Sequence, residues 1–222
     1  PTVTANTISL TGTAVDGYIS GATACLDIDS SGTCDSTEPT TTTAADGTFS
    51  FTNVEVADNL LLPVIVSGGT DTATNKAFTG QLKNIIDSAT ITTSTVLSVT
   101  PLTDLIATSF LQSSTKDTTA LNSSKTEVAQ AFGLSVADVV ADPMQSLTVF
   151  AKTQELEQIK ALIETTSTKA KGGTLTDAET LVLQNEIKAA LVAQVKETTG
   201  TNLEIDKVLT KVEAISTITI PD

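Results

Sequence analysis

Residues 91–110 read ITTSTVLSVTPLTDLIATSF, and the apolar pattern changes its period inside this stretch. Up to Val99 it is rich in threonine and valine, which is typical of a strand. A helix is predicted to begin at Thr100-Pro101, because proline is favoured at the first helical position. One apolar stripe follows at helical spacing: Leu102, Leu105, Ile106 and Phe110. The chain is therefore expected to belong to the α+β class, with its strands before residue 100 and its helices after it.

On the N-terminal side of this stretch, short strands alternate with turn signals. Asp16-Gly17 and Asp46-Gly47 are turn sequences. Phe49 and Phe51 alternate with polar residues, so both rings should lie on one face of a strand. Several such strands predict an antiparallel β-sandwich over residues 1–99.

On the C-terminal side, helix boundary signals recur over residues 100–214. Four pairs match the spacing of a capping box: Ser124/Glu127, Ser135/Asp138, Thr176/Glu179 and Thr201/Glu204. Asp142-Pro143 predicts a further helix start, and Lys171-Gly172-Gly173 predicts a helix end. This region is expected to be helical throughout.

The last segment, residues 215–222, returns to an alternating pattern that predicts a strand containing Ile215, Ile218 and Ile220. This strand can pair within its own chain or add to the open sheet edge of a neighbouring subunit. The N-terminal run that includes Thr2 and Val3 has the same two options. Exchange of either segment between subunits would give an open-ended polymer.

The most specific motif is the twelve-residue run DIDSSGTCDSTE at 27–38. Acidic or hydroxyl residues stand at its first, third, fifth and ninth positions, glycine at the sixth and glutamate at the twelfth, which is the spacing of an EF-hand-type calcium loop. The predicted Ca²⁺ ligands are Asp27, Asp29, Ser31, Thr33 (through its carbonyl), Asp35 and Glu38. The alternative is an acidic, solvated β-turn.

Cys25 and Cys34 lie nine positions apart around this loop. A disulfide between them would contribute about 2.5–3 kcal/mol in the chain-entropy model and would imply an oxidising compartment. Two free thiols in a cytosolic protein are the alternative. Because the chain starts at Pro1 without methionine, a removed leader is expected. The acidic, threonine-rich composition with few aromatic residues is typical of a secreted protein on the extracellular cell surface.

Composition narrows the classes of function. The 222 residues carry a net charge of −14, and all 12 basic residues are lysines, with no histidine or tryptophan. A basic nucleic-acid-binding surface is not expected, nor is catalysis that depends on histidine. Glu155, Glu157 and Glu164 offer carboxylates for a hydrolase, but such a row is usually a solvated helix face, and no enzyme is predicted. No stretch reaches the roughly 18–20 apolar residues of a membrane span, so membrane insertion is not expected.

Residues 10–54 resemble the prealbumin-like, carboxypeptidase-regulatory-like module of bacterial surface proteins, akin to the B-type repeats of adhesins. The resemblance lies in LTGTAVDGYISGATACLD at 10–27, in the calcium loop up to Glu38-Pro39, and in ADGTFSF at 45–51. In that family such loops bind calcium and rigidify a stalk. Residues 99–106, 132–134 and 141–143 are similar to a helical segment that follows the module in large surface proteins.

These observations predict a calcium-stabilised structural subunit of an extracellular filament, adhesin or matrix. Such a subunit would associate with itself and, in a matrix, with a partner at the cell surface. The competing hypothesis is a monomeric module that binds carbohydrate or a host surface. It is weaker because sugar sites usually present aromatic platforms, and Tyr18 is the only tyrosine.

Overall fold

The computed structural model describes residues 5–57, 60–92, 94–170, 172–173, 175–197, 203 and 205–215. The strands are β1 (Ala5–Ala14), β2 (Ile19–Ser20), β3 (Thr23–Leu26), β4 (Thr40–Thr42), β5 (Thr48–Ala57), β6 (Leu61–Ser67), β7 (Thr70–Asp71), β8 (Lys76–Ala77), β9 (Gln81–Asp87) and β10 (Val96–Val99). The helices are α1 (Pro101–Gln112), α2 (Thr118–Phe132), α3 (Leu147–Ala170), α4 (Asp177–Glu197) and α5 (Ile205–Ile215). The α+β class and the order of strands before helices are thus confirmed.

The described strands form three sheets, in the orders β10-β1-β5, β4-β3-β6-β9 and β2-β7-β8. Every pair between these strands is antiparallel except β1 and β10, which run parallel from Thr11↔Val96 to Ala14↔Val99. The expectation of purely antiparallel pairing was wrong for this pair. A parallel pair needs a long crossover connection, and strands β2 to β9 supply it here.

The first two sheets share one hydrophobic core, which draws side chains from β1, β3, β5, β6 and β9. Phe49 and Phe51 are both buried in it, with ring centroids 5.9 Å apart at an edge-to-face angle of 74°. The alternation in β5 therefore places both rings on one face, as predicted. Gly12 lies opposite Phe49 in the β1–β5 register.

Gly12 is expected to tolerate no side chain, because a methyl group at this position would overlap the ring of Phe49. We predict that Gly12→Ala lowers the free energy of unfolding by about 1–3 kcal/mol, the usual cost of overpacking a core. Urea unfolding measures it. Gly80→Ala is the control, since its methyl group would lie 3.1 Å from the end of the Phe78 ring and should cost less. Equal losses in the two variants would contradict the overlap at Gly12.

The helical part packs directly on the sheet through α1. Thr100 caps this helix, forming a capping box with Thr103, and the predicted apolar stripe is buried. Ile85 of β9 belongs to the same core as the helices, and the Thr103 hydroxyl donates to the carbonyl of Lys83 at 2.9 Å. The change of period at residue 100 is therefore a change of secondary structure within one packed unit.

The predicted capping boxes have different outcomes. Thr176/Glu179 makes the reciprocal bonds expected of a box at the start of α4. Ser135/Asp138 makes the same kind of bonds, but only a single 3-10 turn follows, Asp138–Val140, and it begins after Ala137.

The prediction for the third pair, Ser124/Glu127, is wrong. Ser124, however, lies inside α2, whose cap is Asp117. Ser124 is buried and donates to the Ser109 hydroxyl at 3.2 Å, so it serves helix packing. The pair Thr201/Glu204 lies outside the described residues.

The other two predicted helix boundaries agree only in part with the structure. Asp142-Pro143 starts a single 3-10 turn at Pro143–Gln145, because the Asp142 carboxylate accepts from the amide of Met144; α3 begins later. The predicted end of α3 is confirmed, since the helix stops at Ala170 and the amide of Gly173 donates to the carbonyl of Thr168. No described helix is long and apolar enough to cross a membrane.

The predicted C-terminal strand is wrong at its first residue. Ile215 is the last residue of α5. Ile218, Ile220, Thr2 and Val3 lie outside the described residues. Ile215 follows Val208 and Val212, two buried residues of α5, by seven and three positions, which is a helical spacing in the sequence.

Candidate metal site

The loop 27–38 connects β3 to β4, and both of its ends are fixed by the sheet. Asp27 follows β3 directly, is completely buried, and donates its amide to the carbonyl of Pro63 at 2.9 Å. At the other end Glu38 is 9% exposed, and the carbonyl of the next residue, Pro39, accepts from the amide of Leu26 at 3.0 Å. The two acids with the strongest sequence signal are thus attached to rigid elements.

The carboxylates of Asp27, Asp29 and Glu38 converge, with one oxygen from each within 4.8 Å of the others. The Asp27 oxygens accept from the amides of Ser31 at 2.9 Å and Gly32 at 2.8 Å. Asp29 also accepts from the Ser31 amide at 2.9 Å. Gly32 has φ +85°, a left-handed conformation that explains the glycine at the sixth loop position.

Glu38 closes the loop from the opposite side. One carboxylate oxygen accepts from the amide of Ile28 at 2.9 Å, and the other accepts from the amide of Asp35 at 3.1 Å. A single side chain therefore holds the beginning and the end of the loop together. This is the twelfth loop position, where the sequence predicts a carboxylate ligand.

The other three predicted ligands are arranged differently. The Ser31 hydroxyl donates to the carbonyl of Thr33 at 2.9 Å, so these two groups satisfy each other. The carboxylate of Asp35 is exposed and accepts from the amide and hydroxyl of Thr37 at 2.7 and 2.6 Å. These two bonds lower the pKa of Asp35. The structure therefore brings together three of the six predicted ligands.

Cys25 and Cys34 form a disulfide with their Cα atoms 6.0 Å apart, as predicted. The bond fastens the middle of the loop to β3, where Cys25 is completely buried. A carboxylate oxygen of Glu38 lies 3.3 Å from the Cys25 sulfur. A disulfide sulfur has no proton to donate, so this is a packing contact that brings Glu38 and the bridge together.

The loop brings two buried carboxylates, Asp27 and Glu38, close to the exposed carboxylate of Asp29. The pKa of Asp27 is raised to about 6, mainly by burial; the charge of Glu38 acts in the same direction and the two amide bonds oppose it. Lys83 of β9 lies nearby and donates to the carbonyl of Gly32 at 2.9 Å. Burial lowers the pKa of Lys83, while Asp104 and Asp27 oppose this effect. Sequence reasoning missed Lys83 because it is 51 residues from Gly32.

The residues present fit a hard divalent cation. Three carboxylates supply oxygen donors of the kind that Ca²⁺ prefers, and the described cation next to them, Lys83, bonds a carbonyl and not one of the carboxylates. Asp27, Asp29 and Glu38 would hold the ion. A bound ion would neutralise their mutual repulsion and so stabilise the folded loop.

Comparisons of the chain with protein-family models, with curated proteins and with solved structures find no match. The resemblance to the prealbumin-like module therefore rests on the sequence motifs alone and stays a prediction.

Proposed function

We propose that this chain is a calcium-stabilised structural subunit of an extracellular bacterial filament or surface matrix. The observation that supports it best is the convergence of Asp27, Asp29 and Glu38 in a disulfide-closed loop between two strands. In this proposal, the two sheets that share a core act as a prealbumin-like sandwich, and the ion makes the loop rigid. The work of the protein is mechanical rather than catalytic.

Self-assembly is part of the proposal. Strands β4, β5, β9 and β10 stand at the ends of the two sheets that share a core, and such strands offer backbone groups to an added strand. Val96 in β10 is 73% exposed, which is unusual for an apolar strand residue. A segment from a neighbouring subunit, either 216–222 with Ile218 and Ile220 or the N-terminal run with Thr2 and Val3, would add to such an edge.

Calcium is expected to raise the melting temperature by about 5–10 °C at a concentration of about 100 times its Kd, since that excess contributes about 2.7 kcal/mol. Differential scanning calorimetry in Ca²⁺, in Mg²⁺ and in chelator measures the shift. Magnesium should have a smaller effect, because it loses its water shell reluctantly. Identical melting in Ca²⁺ and chelator would contradict the metal site.

Negative-stain electron microscopy under the same conditions tests assembly. Filaments that form in calcium and are lost in chelator are the expected result. Deletion of residues 216–222 leaves α5 whole and should abolish assembly if this segment is donated, while the melting temperature stays unchanged. Filaments of unchanged yield from this variant would exclude the segment as the donor. Monodisperse particles in every condition would contradict the polymer and favour a monomeric binding module.

A further inference from the structure

The disulfide loop holds a second group of possible metal ligands beside the three carboxylates. The sulfurs of Cys25 and Cys34 and a carboxylate oxygen of Glu38 lie within 4.8 Å of one another. Glu38 therefore belongs to two groups, one with the oxygens of Asp27 and Asp29 and one with the two sulfurs. The first group suits a hard cation, whereas thiolate sulfur prefers a softer ion such as Zn²⁺.

The sheet holds most of this second group in place independently of the disulfide. Cys25 is completely buried in β3, where it pairs with Thr40 of β4 and with Ile65 of β6. Glu38 is fixed by the two backbone amides from which its carboxylate oxygens accept. Each of these bonds occupies one lone pair, and each carboxylate oxygen has another for a metal ion. Opening the disulfide therefore leaves two of the three ligands where they are.

The spacing of these atoms matches a tetrahedral zinc site. With Zn–S bonds of about 2.3 Å and Zn–O bonds of about 2.0 Å, a sulfur and an oxygen ligand lie about 3.5 Å apart and two sulfurs about 3.8 Å apart. The Glu38 oxygen is 3.3 Å from the Cys25 sulfur. The Cα atoms of Cys25 and Cys34 are 6.0 Å apart, so side-chain rotation alone can separate the two sulfurs to the zinc-bound spacing. Since the chain has two cysteines and no histidine, Glu38 is the third protein ligand.

The thiolates form when a dithiol reduces the bridge. Cys34 is half-buried and Cys25 is completely buried, so the reductant reaches the sulfur of Cys34. One thiolate of the dithiol attacks this sulfur and Cys25 leaves as a thiolate, and the second thiol of the reductant then displaces Cys34. The products are two cysteine thiols and the disulfide of the reductant, which has given up two electrons. Binding of Zn²⁺ displaces the thiol protons.

We propose that the reduced loop is a zinc site, in which the thiolates of Cys25 and Cys34 and the carboxylate of Glu38 bind Zn²⁺ and a water molecule completes the tetrahedron. The oxidation state of the bridge then decides which class of ion the loop binds. Because Glu38 is common to both groups, zinc in the reduced loop displaces calcium. This last consequence rests on the proposed calcium function, whereas the zinc site itself does not.

Titration of the full chain with Co²⁺, a coloured substitute for Zn²⁺, tests the site. The chain is reduced with dithiothreitol, separated from it by anaerobic gel filtration, and compared with the oxidised chain. We expect thiolate-to-cobalt charge-transfer bands from the reduced chain alone, saturating at equal molar amounts and lost when Zn²⁺ is added. The absence of these bands from the reduced chain would overturn the proposal. Saturation at half the molar amount would also overturn it, because the ion would then lie between two chains.

Two matched variants separate this site from the calcium site. Glu38→Gln should weaken zinc binding by the reduced chain about tenfold or more, since even the loss of an outer partner of a metal ligand costs about 10–100-fold in affinity. Asp29→Asn removes a carboxylate that belongs to the calcium group alone and should leave zinc affinity unchanged. Wild-type zinc affinity in Glu38→Gln, or equal losses in the two variants, would refute the three-ligand site.

The same comparison covers the case in which reduction unfolds the loop. Unfolded thiols bind Co²⁺ without Glu38, so Glu38→Gln would then match the wild-type chain and the proposal would fail. Calcium titrations use the oxidised chain, so their outcome is separate. An oxidised chain that binds no calcium contradicts the proposed function, and a reduced chain that binds no zinc contradicts this inference.

Discussion

Replacing Asp104 by asparagine is expected to lower the free energy of unfolding by about 3–5 kcal/mol, the usual cost of breaking a buried ion pair from one side. Asp104 lies in the first turn of α1, where a negative charge also interacts favourably with the helix dipole. Its carboxylate is 2.8 Å from the ammonium group of Lys188, and the two side chains are only 4% and 14% exposed.

The expected loss is large because Asp104 serves more than one lysine. Its charge also acts on Lys83 in β9 and on Lys160 in α3. Without the carboxylate, the buried ammonium group of Lys188 would lose its ion-pair partner. Lys83 and Lys160 would keep their bonds to Gly32 and Glu157 but would lose the favourable charge of Asp104.

A double-mutant cycle separates this effect from simple loss of a contact. Asp104→Asn, Lys188→Met and the double variant are unfolded in urea. The double variant should be more stable than Asp104→Asn alone, because Lys188→Met removes one of the uncompensated charges. Lys152→Met is the control, since Lys152 pairs with Glu155 at a site far more exposed than that of Asp104 and Lys188 and should cost at most about 1 kcal/mol. Additive losses would show that the pair is not coupled.

The local features of this fold could be predicted from the sequence because neighbouring residues encode them. The start of α1 follows from Thr100-Pro101 and the stripe after it, and the shared face of Phe49 and Phe51 follows from alternation. The disulfide between Cys25 and Cys34 was predicted from proximity along the chain. In each case the partners are close in sequence.

The long-range features could not be predicted in the same way. The β1–β10 pair joins Thr11 to Val96, and Lys188 meets Asp104 from another helix. No period or spacing encodes such pairs, because the connecting chain passes through many other elements. The bond from Lys83 to the carbonyl of Gly32 could not be predicted for the same reason. The acidic surroundings of the metal loop are visible in the sequence, whereas its cationic neighbour is not.

Predictions from short motifs were wrong where the same residues take part in tertiary packing. Ser124 and Glu127 have the spacing of a capping box, yet Ser124 is buried against Ser109 of α1. The actual cap of α2, Asp117, accepts from the amide of Ala120 and needs no acid three residues later. A capping motif therefore predicts a helix start only when its first residue is not needed inside the helix for packing, as Ser124 is here.

Glu38→Gln is expected to reduce calcium affinity about 100-fold, because loss of one buried, hydrogen-bonded charge costs roughly 2–5 kcal/mol and each 1.4 kcal/mol is a factor of ten. Asp35→Asn should change it by less than about fivefold, since exposed charges contribute about 0.2–1 kcal/mol. The EF-hand spacing alone treats both residues as ligands. The structure separates them, because Glu38 joins Asp27 and Asp29 while Asp35 bonds Thr37.

The two variants are matched, since each removes one negative charge from the same loop by exchanging a carboxylate for an amide. Calorimetric titration with Ca²⁺ gives the affinities, and melting in chelator shows whether Glu38→Gln still closes the loop through its remaining carbonyl oxygen. Equal losses in both variants would mean that Asp35 turns inward to a bound ion and that the ion uses the full EF-hand arrangement. Unchanged affinity in both would remove the loop as the calcium site. A large loss in Glu38→Gln alone requires the three-carboxylate site, because only the converging oxygens then hold the ion.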